Sequence, residues 1–414
     1  QRAIPRGGLL QESLKLDQAR QILRESVAPV GGWEVVPIRA ALGRVLRRDI
    51  VAPFDVPAHD NSAMDGYAAR AQDLGSPENR LTLVGKAYAG AAFSGVIGPG
   101  QTVRVMTGAV LPRGADAVIV QESAHLDGET VVLPSVDKPG QNVRRAGEDL
   151  AAGRPALLTG RRIGPPELGL LASLGLAEVP VYRRPRVAFF STGDELASIG
   201  RTLGPGEVYD SNRYTLFGAL TRLGLEVLDL GVVRDDRPAL EQAFGEAATQ
   251  ADAILTTGGV SVGEADHVRD IMGRLGEVRF WRIDIKPGRP MAFGRLGGAW
   301  LFGLPGNPVA ALVSFYQILL DALHRLQGLD PLPVHPSFPV PCESPIRKRP
   351  GRQEFPRGVL YQADGGWRVR LSGNQGSGVL RSMTDANCFI CLPEDRGSVA
   401  PGDLVDVQPF LGLI

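Results

Sequence analysis

From Arg184 onward the sequence alternates strand-like and helix-like segments, and this rhythm restricts the fold more than any other feature. "RVAFFSTGDEL" reads as a buried strand ending in a turn, "SNRYTLFGALTRLG" as a helix and "LEVLDLGVV" as a strand. "RPALEQAFGEAATQ" reads as a helix and "ADAILTTGG" as a strand; "GAWLFGLPGNP" and the apolar helix "VAALVSFYQILLDALHRL" come later. Strands joined through helix-length connections predict a parallel α/β domain to about residue 330.

The flanking segments have other textures. "SLKLDQARQILRESV" predicts a helix, with Leu14, Ala19, Ile22 and Leu23 near one face and Ser13 placed as its N-cap. Between Pro53 and Arg145, short apolar runs alternate with Gly, Pro and Asp turns, the pattern of a β-rich domain. "GPPELGLLASLG" reads as a helix with two prolines at its start, where missing N–H groups cost least. Past the α/β region, Pro-rich "DPLPVHPSFPVPCESP" leads into short strands, "GRQEFPRGVL", "GWRVRLSG", "CFICLP" and "LVDVQPF", which predict a small β domain.

Composition narrows the partners. The formal net charge of the 414 residues is zero, which gives no electrostatic reason to expect nucleic acid or a membrane surface. No apolar run approaches the roughly 20 residues of a membrane span, and the amino-terminal stretch lacks a signal-peptide core. Three cysteines, Cys342, Cys388 and Cys391, make no disulfide framework, so the expected compartment is a reducing cytoplasm. Cys388 and Cys391 form a CxxC, readable as a redox or metal pair or as a buried strand, "CFICL". With no second CxxC and five scattered histidines, the buried strand is favoured and a zinc site is not.

Three loops follow predicted strand ends: "STGDE" at 191–195, "RDD" at 234–236 and "TTGGVSVGEAD" at 256–266. Ligands of open α/β sheets bind at the carboxyl ends of strands. Glycines let backbone approach a ligand, and helix starts offer free N–H groups, which suits phosphate. The carboxylates Glu195, Asp235 and Asp266 would repel phosphate alone; a hard divalent cation such as Mg²⁺ reconciles the two. Basic groups in "WRIDIKPGRP" would neutralise the remainder. Any one loop also reads as a surface turn with a capping acid, and Asp266 before "HVRDIM" makes a good N-cap. Three such loops in one domain favour a site. There is no dinucleotide fingerprint, P-loop or G-x-S-x-G elbow.

"DNSAMDGYA", "MTGAVLPRGADAVIVQE", "VRRAGEDL", "STGDEL", "YDSNR", "TTGGVSVGEADH", "IKPGRPMAFG" and "LFGLPGNPVA" occur in this order. Together they resemble the molybdopterin molybdenumtransferase family, to which the E domain of gephyrin also belongs, from about residue 13 to the end. The resemblance implies a multidomain α/β plus β protein. Its parts would be an elongated discontinuous N-terminal domain (13–52 and 146–182), an inserted β domain (53–145), a parallel α/β molybdopterin-binding domain (183–330) and a C-terminal β-barrel-like domain (331–414). It implies insertion of molybdate into adenylylated molybdopterin with Mg²⁺-dependent release of AMP, by a homodimer whose β domain faces the partner's α/β cleft. Family acids fall on Asp65, Asp149, Glu195, Asp235 and Asp266, with Mg²⁺ on the last three, and basic anchors fall on Lys286, Arg282 and Arg289. A close family pattern has lysines at the two arginine positions; Arg keeps the charge as a planar fork. Arg357 and Ser377 match family positions near the cleft and are candidate molybdate ligands, since an oxyanion wants Arg and hydroxyl donors; Thr107 joins Asp65 in completing the partner's site, and Gly258, Gly259, Ser261 and Pro305 contact substrate or shape the cleft. A non-catalytic gephyrin-like scaffold and a tungstate-inserting paralogue are the alternative readings.

Overall fold

A computed structural model describes residues 13–136, 138–259, 267–363, 365–411 and 413. Its α/β unit is built on a six-stranded sheet in the order Glu226–Val233, Arg186–Thr192, Ala253–Thr257, Ala299–Leu304, Pro290–Leu296, Gly276–Arg282. The first four strands are parallel, as the alternation predicts. Two antiparallel strands extend that parallel part on one side.

Strand periodicity explains why the central segments read as unbroken apolar runs. In Arg186–Thr192, Val187 and Phe189 enter one buried cluster while Ala188 and Phe190 enter the other. Both faces are covered, so both sets of side chains must be apolar. Helix Ser211–Arg222 packs Leu216, Ala219 and Leu220 into the first cluster. Helices Arg237–Gln250 and His267–Leu275 pack Leu240, Phe244, Val268 and Ile271 into the second. Phe190 meets Phe244 edge-on with ring centroids 5.1 Å apart; truncating either to Ala would cost about 3–5 kcal/mol.

The helix spanning Pro308–Leu326 is interrupted by a π turn at Phe315–Leu319. Its 19 residues make it long and apolar enough to cross a membrane, unlike any run expected from the sequence. It lies within the protein, 89% of its apolar window buried, and carries the buried polar residues Gln317, Asp321 and His324. Helix Leu16–Ser26 lies against it, with Leu16, Ala19 and Leu23 in the first cluster. Ser13 does not cap this helix. Its hydroxyl donates to Asp284 at 2.6 Å, and Lys15 N–H donates to Gln18 Oε1 at the helix start.

Trp33–Pro37 pairs with Glu178–Tyr182, and Ile50–Val51 with Pro155–Leu157, around the helix Pro165–Ser173. Between these stretches, a six-stranded sheet runs Ala117–Val120, Gly66–Ala69, Gln101–Val105, Asn79–Ala87, Thr130–Leu133, His125–Asp127. The C-terminal sheet has five antiparallel strands: Phe338–Pro341, Leu404–Pro409, Cys388–Cys391, Arg357–Ala363 and Gly366–Leu371. Its edges approach where Glu343 N–H donates to the Val369 carbonyl at 2.8 Å, which gives the barrel-like closure. Cys388 is wholly buried in this sheet, and burial pushes its thiol and that of Cys391 up to about 12. Both thiols stay protonated near neutral pH, which suits packing and not redox exchange.

Candidate functional site

The parallel strands follow one another outward from Arg186–Thr192 to Glu226–Val233 on one side and then to Ala253–Thr257 on the other. The order reverses about the first strand, and a crevice opens there between the ends of Arg186–Thr192 and Ala253–Thr257. A cleft of about 590 Å³ occupies this position. Gly258 closes the second of these strands at φ +86°, and a Cβ there would fall 2.1 Å from the Thr192 carbonyl oxygen. Only glycine permits so tight an exit.

Two helices begin at this cleft. Asp210 caps Ser211–Arg222 by accepting from Arg213 N–H at 3.1 Å, and Asn212 donates to the Gly306 carbonyl at 2.7 Å. Asn307 and Pro308, at the start of the second helix, line the cleft with Pro305. Both helix starts turn their positive dipole ends toward the same space. The acids divide their work. In "RDD", Asp236 accepts from Ala239 N–H at 2.9 Å and caps Arg237–Gln250, while Asp235 lines the cleft. Glu195 lines it as well. Buried there without hydrogen-bond partners among the described residues are Asp235 Oδ1, Asp210 Oδ2 and Thr192 Oγ1. Unsatisfied buried oxygens are costly and call for a ligand, water or cation.

A second cleft, about 610 Å³, shares Pro290, Pro305 and Asn307 with the first and is basic. Lys286, Arg289, Arg347, Arg352 and Arg357 line it, together with Ser377. Arg357 is 1% exposed, yet its guanidinium meets only neutral groups: Ser382 Oγ at 3.1 Å and the carbonyls of Gly376 at 3.2 Å and Asn374 at 3.5 Å. Burial without a counter-ion lowers its pKa to about 10. Such a charge is prepared for an anion. Lys286 Nζ lies 3.2 Å from Glu354, a buried carboxylate on the same wall. A basic extension, bordered by Arg347, Lys348, Arg349 and Arg352, continues the groove outward.

The expected residues fall into groups. Glu195, Asp235, Gly258, Gly259 and Pro305 gather at the first cleft; Lys286, Arg289, Arg357 and Ser377 gather at the second. Ser261 and Asp266 lie outside the described residues. Arg282 is exposed and lines neither cleft. Asp65 and Thr107 meet each other elsewhere: Thr107 donates to Asp65 Oδ1 from its N–H and its hydroxyl, both at 2.7 Å. These bonds hold the Asp65 carboxyl below its usual range. Asp149 is exposed and also apart from both clefts. Sequence reasoning passed over Asp210, Asn307 and Glu354. The first stood in plain view in "YDSNR", where its capping pattern gave no reason to look further.

Comparison with known proteins follows this layout. Residues 14–175 match the family described as MoeA N-terminal region (domain I and II), 188–325 a probable molybdopterin binding domain, and 339–410 the MoeA C-terminal region (domain IV). A molybdopterin molybdenumtransferase of Haemophilus influenzae is 43% identical over 97% of this chain and 100% of its own length. Molybdopterin molybdenumtransferase 2 of Mycobacterium tuberculosis is 38% identical over 90% of this chain and 94% of its own. A crystal structure of a molybdopterin biosynthesis moea protein from Pyrococcus horikosii superimposes with a TM-score of 0.78 at 32% identity, covering 96% of this chain and 99% of that one.

Proposed function

Because the chain belongs to the molybdopterin molybdenumtransferase family, it is an enzyme of molybdenum cofactor biosynthesis, and we propose that it inserts molybdate into adenylylated molybdopterin with release of AMP. The observation that carries this reading is the shared wall at Pro305 and Asn307. It joins an acid-bearing cleft at the sheet's switch point to a basic pocket holding a buried arginine without a counter-ion. One substrate is a large phosphoanhydride and the other a small tetrahedral dianion, so two adjoining sites of unlike charge suit them.

The adenylylated pterin lies in the first cleft, its phosphates near the helix start at Pro308 and the glycine turn at Gly258 and Gly259. Molybdate occupies the second, where Arg357, Lys286 and Ser377 supply charge and a hydroxyl donor. The chain's own groups hold both substrates in register, and Pro305 keeps the two sites at a fixed separation. The orphaned oxygen of Asp235 fits a hard cation, and Glu195 lines the same space. Among the described residues no three His, Cys, Asp or Glu side chains form a metal cluster. Mg²⁺ suits such a site, since it is commonly bound through one or two carboxylates plus substrate phosphate. When bound it would neutralise charge on the phosphoanhydride oxygens as the bond to AMP breaks. Glu195 and Asp235 would hold it, with Asp266 as a third candidate. The protein works as a cytoplasmic homodimer in which Asp65, Thr107 and Asp149 serve the partner's cleft. Their distance from the cleft of their own chain supports this.

The test is AMP release from adenylylated molybdopterin with molybdate, tungstate or neither, with and without chelator. Release that depends on molybdate and Mg²⁺ is expected. Chelator-insensitive turnover would remove the metal role. Tungstate preference would identify the paralogue, and absence of release the scaffold.

A further inference from the structure

We infer that Asp210 is a ligand-binding residue of the first cleft, and that its free carboxylate oxygen accepts a hydrogen bond from the N–H donor edge of the pterin ring. The inference rests on the reading above that this cleft takes the pterin substrate.

Asp210 is 4% exposed and lines the cleft. Its two oxygens have different fates. Oδ1 accepts from Arg213 N–H at 3.1 Å and caps the helix Ser211–Arg222. Oδ2 is buried and has no hydrogen-bond partner among the described residues. A cap needs only one acceptor, and Asn or Ser would serve the helix as well without a buried charge. The capping role therefore explains one oxygen and leaves the other as an uncompensated cost. Thr192 Oγ1, 3% exposed, lines the same cleft and is also without a partner. Among the described residues neither atom has a hydrogen-bond partner.

The ligand must bring what the cleft lacks. A carboxylate oxygen only accepts, whereas a hydroxyl donates and accepts. The matching partner presents an N–H donor with a neighbouring carbonyl or N–H. The aminopyrimidinone edge of a pterin has that pattern; a phosphate, which carries acceptors alone, does not. Phosphate would instead suit the helix start at Pro308, so the ring and its phosphate arm would be read by chemically different groups of one cleft. Recognition of this kind discriminates strongly, because a ligand without the donor leaves the buried acceptor unpaired.

Asp210→Asn keeps an N-capping side chain and replaces the carboxylate by a neutral amide. Binding of molybdopterin should be followed by fluorescence titration, with the Mg²⁺ dependence of AMP release and the thermal midpoint of the free protein measured alongside. We expect binding by Asp210→Asn to be weaker than wild type by at least about tenfold, with half-saturating Mg²⁺ unchanged and a free-protein midpoint equal to or above wild type. A lowered midpoint with unchanged affinity would show a capping role alone and overturn the inference. A shift in half-saturating Mg²⁺ would make Asp210 a cation ligand and also overturn it. Failure of the wild-type protein to bind the pterin would instead refute the reading of the cleft.

Discussion

Lys286 sits between an anion pocket and a buried acid, and its removal has two consequences. The pocket loses a cation, and Glu354, 8% exposed and on the same wall, loses its partner at 3.2 Å. An unpaired carboxylate beside an anion site repels what the site should hold. Lys286→Ala is therefore expected to lose at least about tenfold in molybdate-dependent AMP release. Lys286→Arg should recover only part, because a fork replaces a point charge. Adding Glu354→Gln to Lys286→Ala should restore part of the loss, and steady-state kinetics of the three variants beside wild type would show it. If the double variant is no better than Lys286→Ala, Glu354 exerts no repulsion. At this scale the sequence was legible where one residue has one task. Glu195, Asp235 and Lys286 are named by residue type and loop position, and Arg357 by resemblance alone, since its segment reads as an ordinary turn. Asp210 was not, because its second oxygen is orphaned only by groups distant in the chain. Arg282 was named by resemblance and is exposed outside the lining of both clefts.

The long helix Pro308–Leu326 buries a titratable ring. His324 is 5% exposed, its Nδ1 has no hydrogen-bond partner among the described residues, and burial lowers its pKa from 6.5 to about 4. The unfolded chain therefore binds a proton as pH falls through 6.5, while the folded one resists until about 4. Stability is lost across that window, by up to about 3 kcal/mol at roughly 1.4 kcal/mol per pH unit. Asp321 behaves differently: burial raises its pKa, but hydrogen bonds from His335 and Arg24 outweigh that and hold it at about 2. Its contribution is lost only below about pH 4, as protonation of the unfolded carboxyl, ordinarily at 3.8, begins. Thermal midpoints from pH 7.5 to 4.5 should fall for wild type and vary less for His324→Gln. Parallel pH profiles would assign the acid sensitivity elsewhere. Elements with local periodicity were readable: "RPALEQAFGEAATQ" coincides with Arg237–Gln250. The antiparallel pair Gly276–Arg282 and Pro290–Leu296 was not, since strand direction is set by partners the local pattern does not name.

At the scale of the whole molecule, the separation of Asp65 and Thr107 from the clefts of their own chain predicts complementation. Chains carrying Asp65→Ala mixed with chains carrying Asp266→Ala should regain activity, because each heterodimer would restore one intact site. No recovery after verified subunit exchange would place each site within one chain. The groove itself has a further consequence for kinetics. At its outer end stand Arg347, Arg349 and Arg352, exposed and without a carboxylate partner among the described residues, in a chain whose formal charge is zero. Local charge of one sign at the mouth of a groove speeds encounter with a dianion, and salt weakens it over a Debye length of about 10 Å at 0.1 M. Raising ionic strength should lower kcat/KM for molybdate while leaving kcat nearly unchanged. Replacing all three arginines by Gln should flatten that dependence, and an equal salt response in the triple variant would refute it. A neutral protein can still have a long reach for a scarce oxyanion if its charge is gathered at the doorway, which then governs how often the ion arrives and not how fast it reacts.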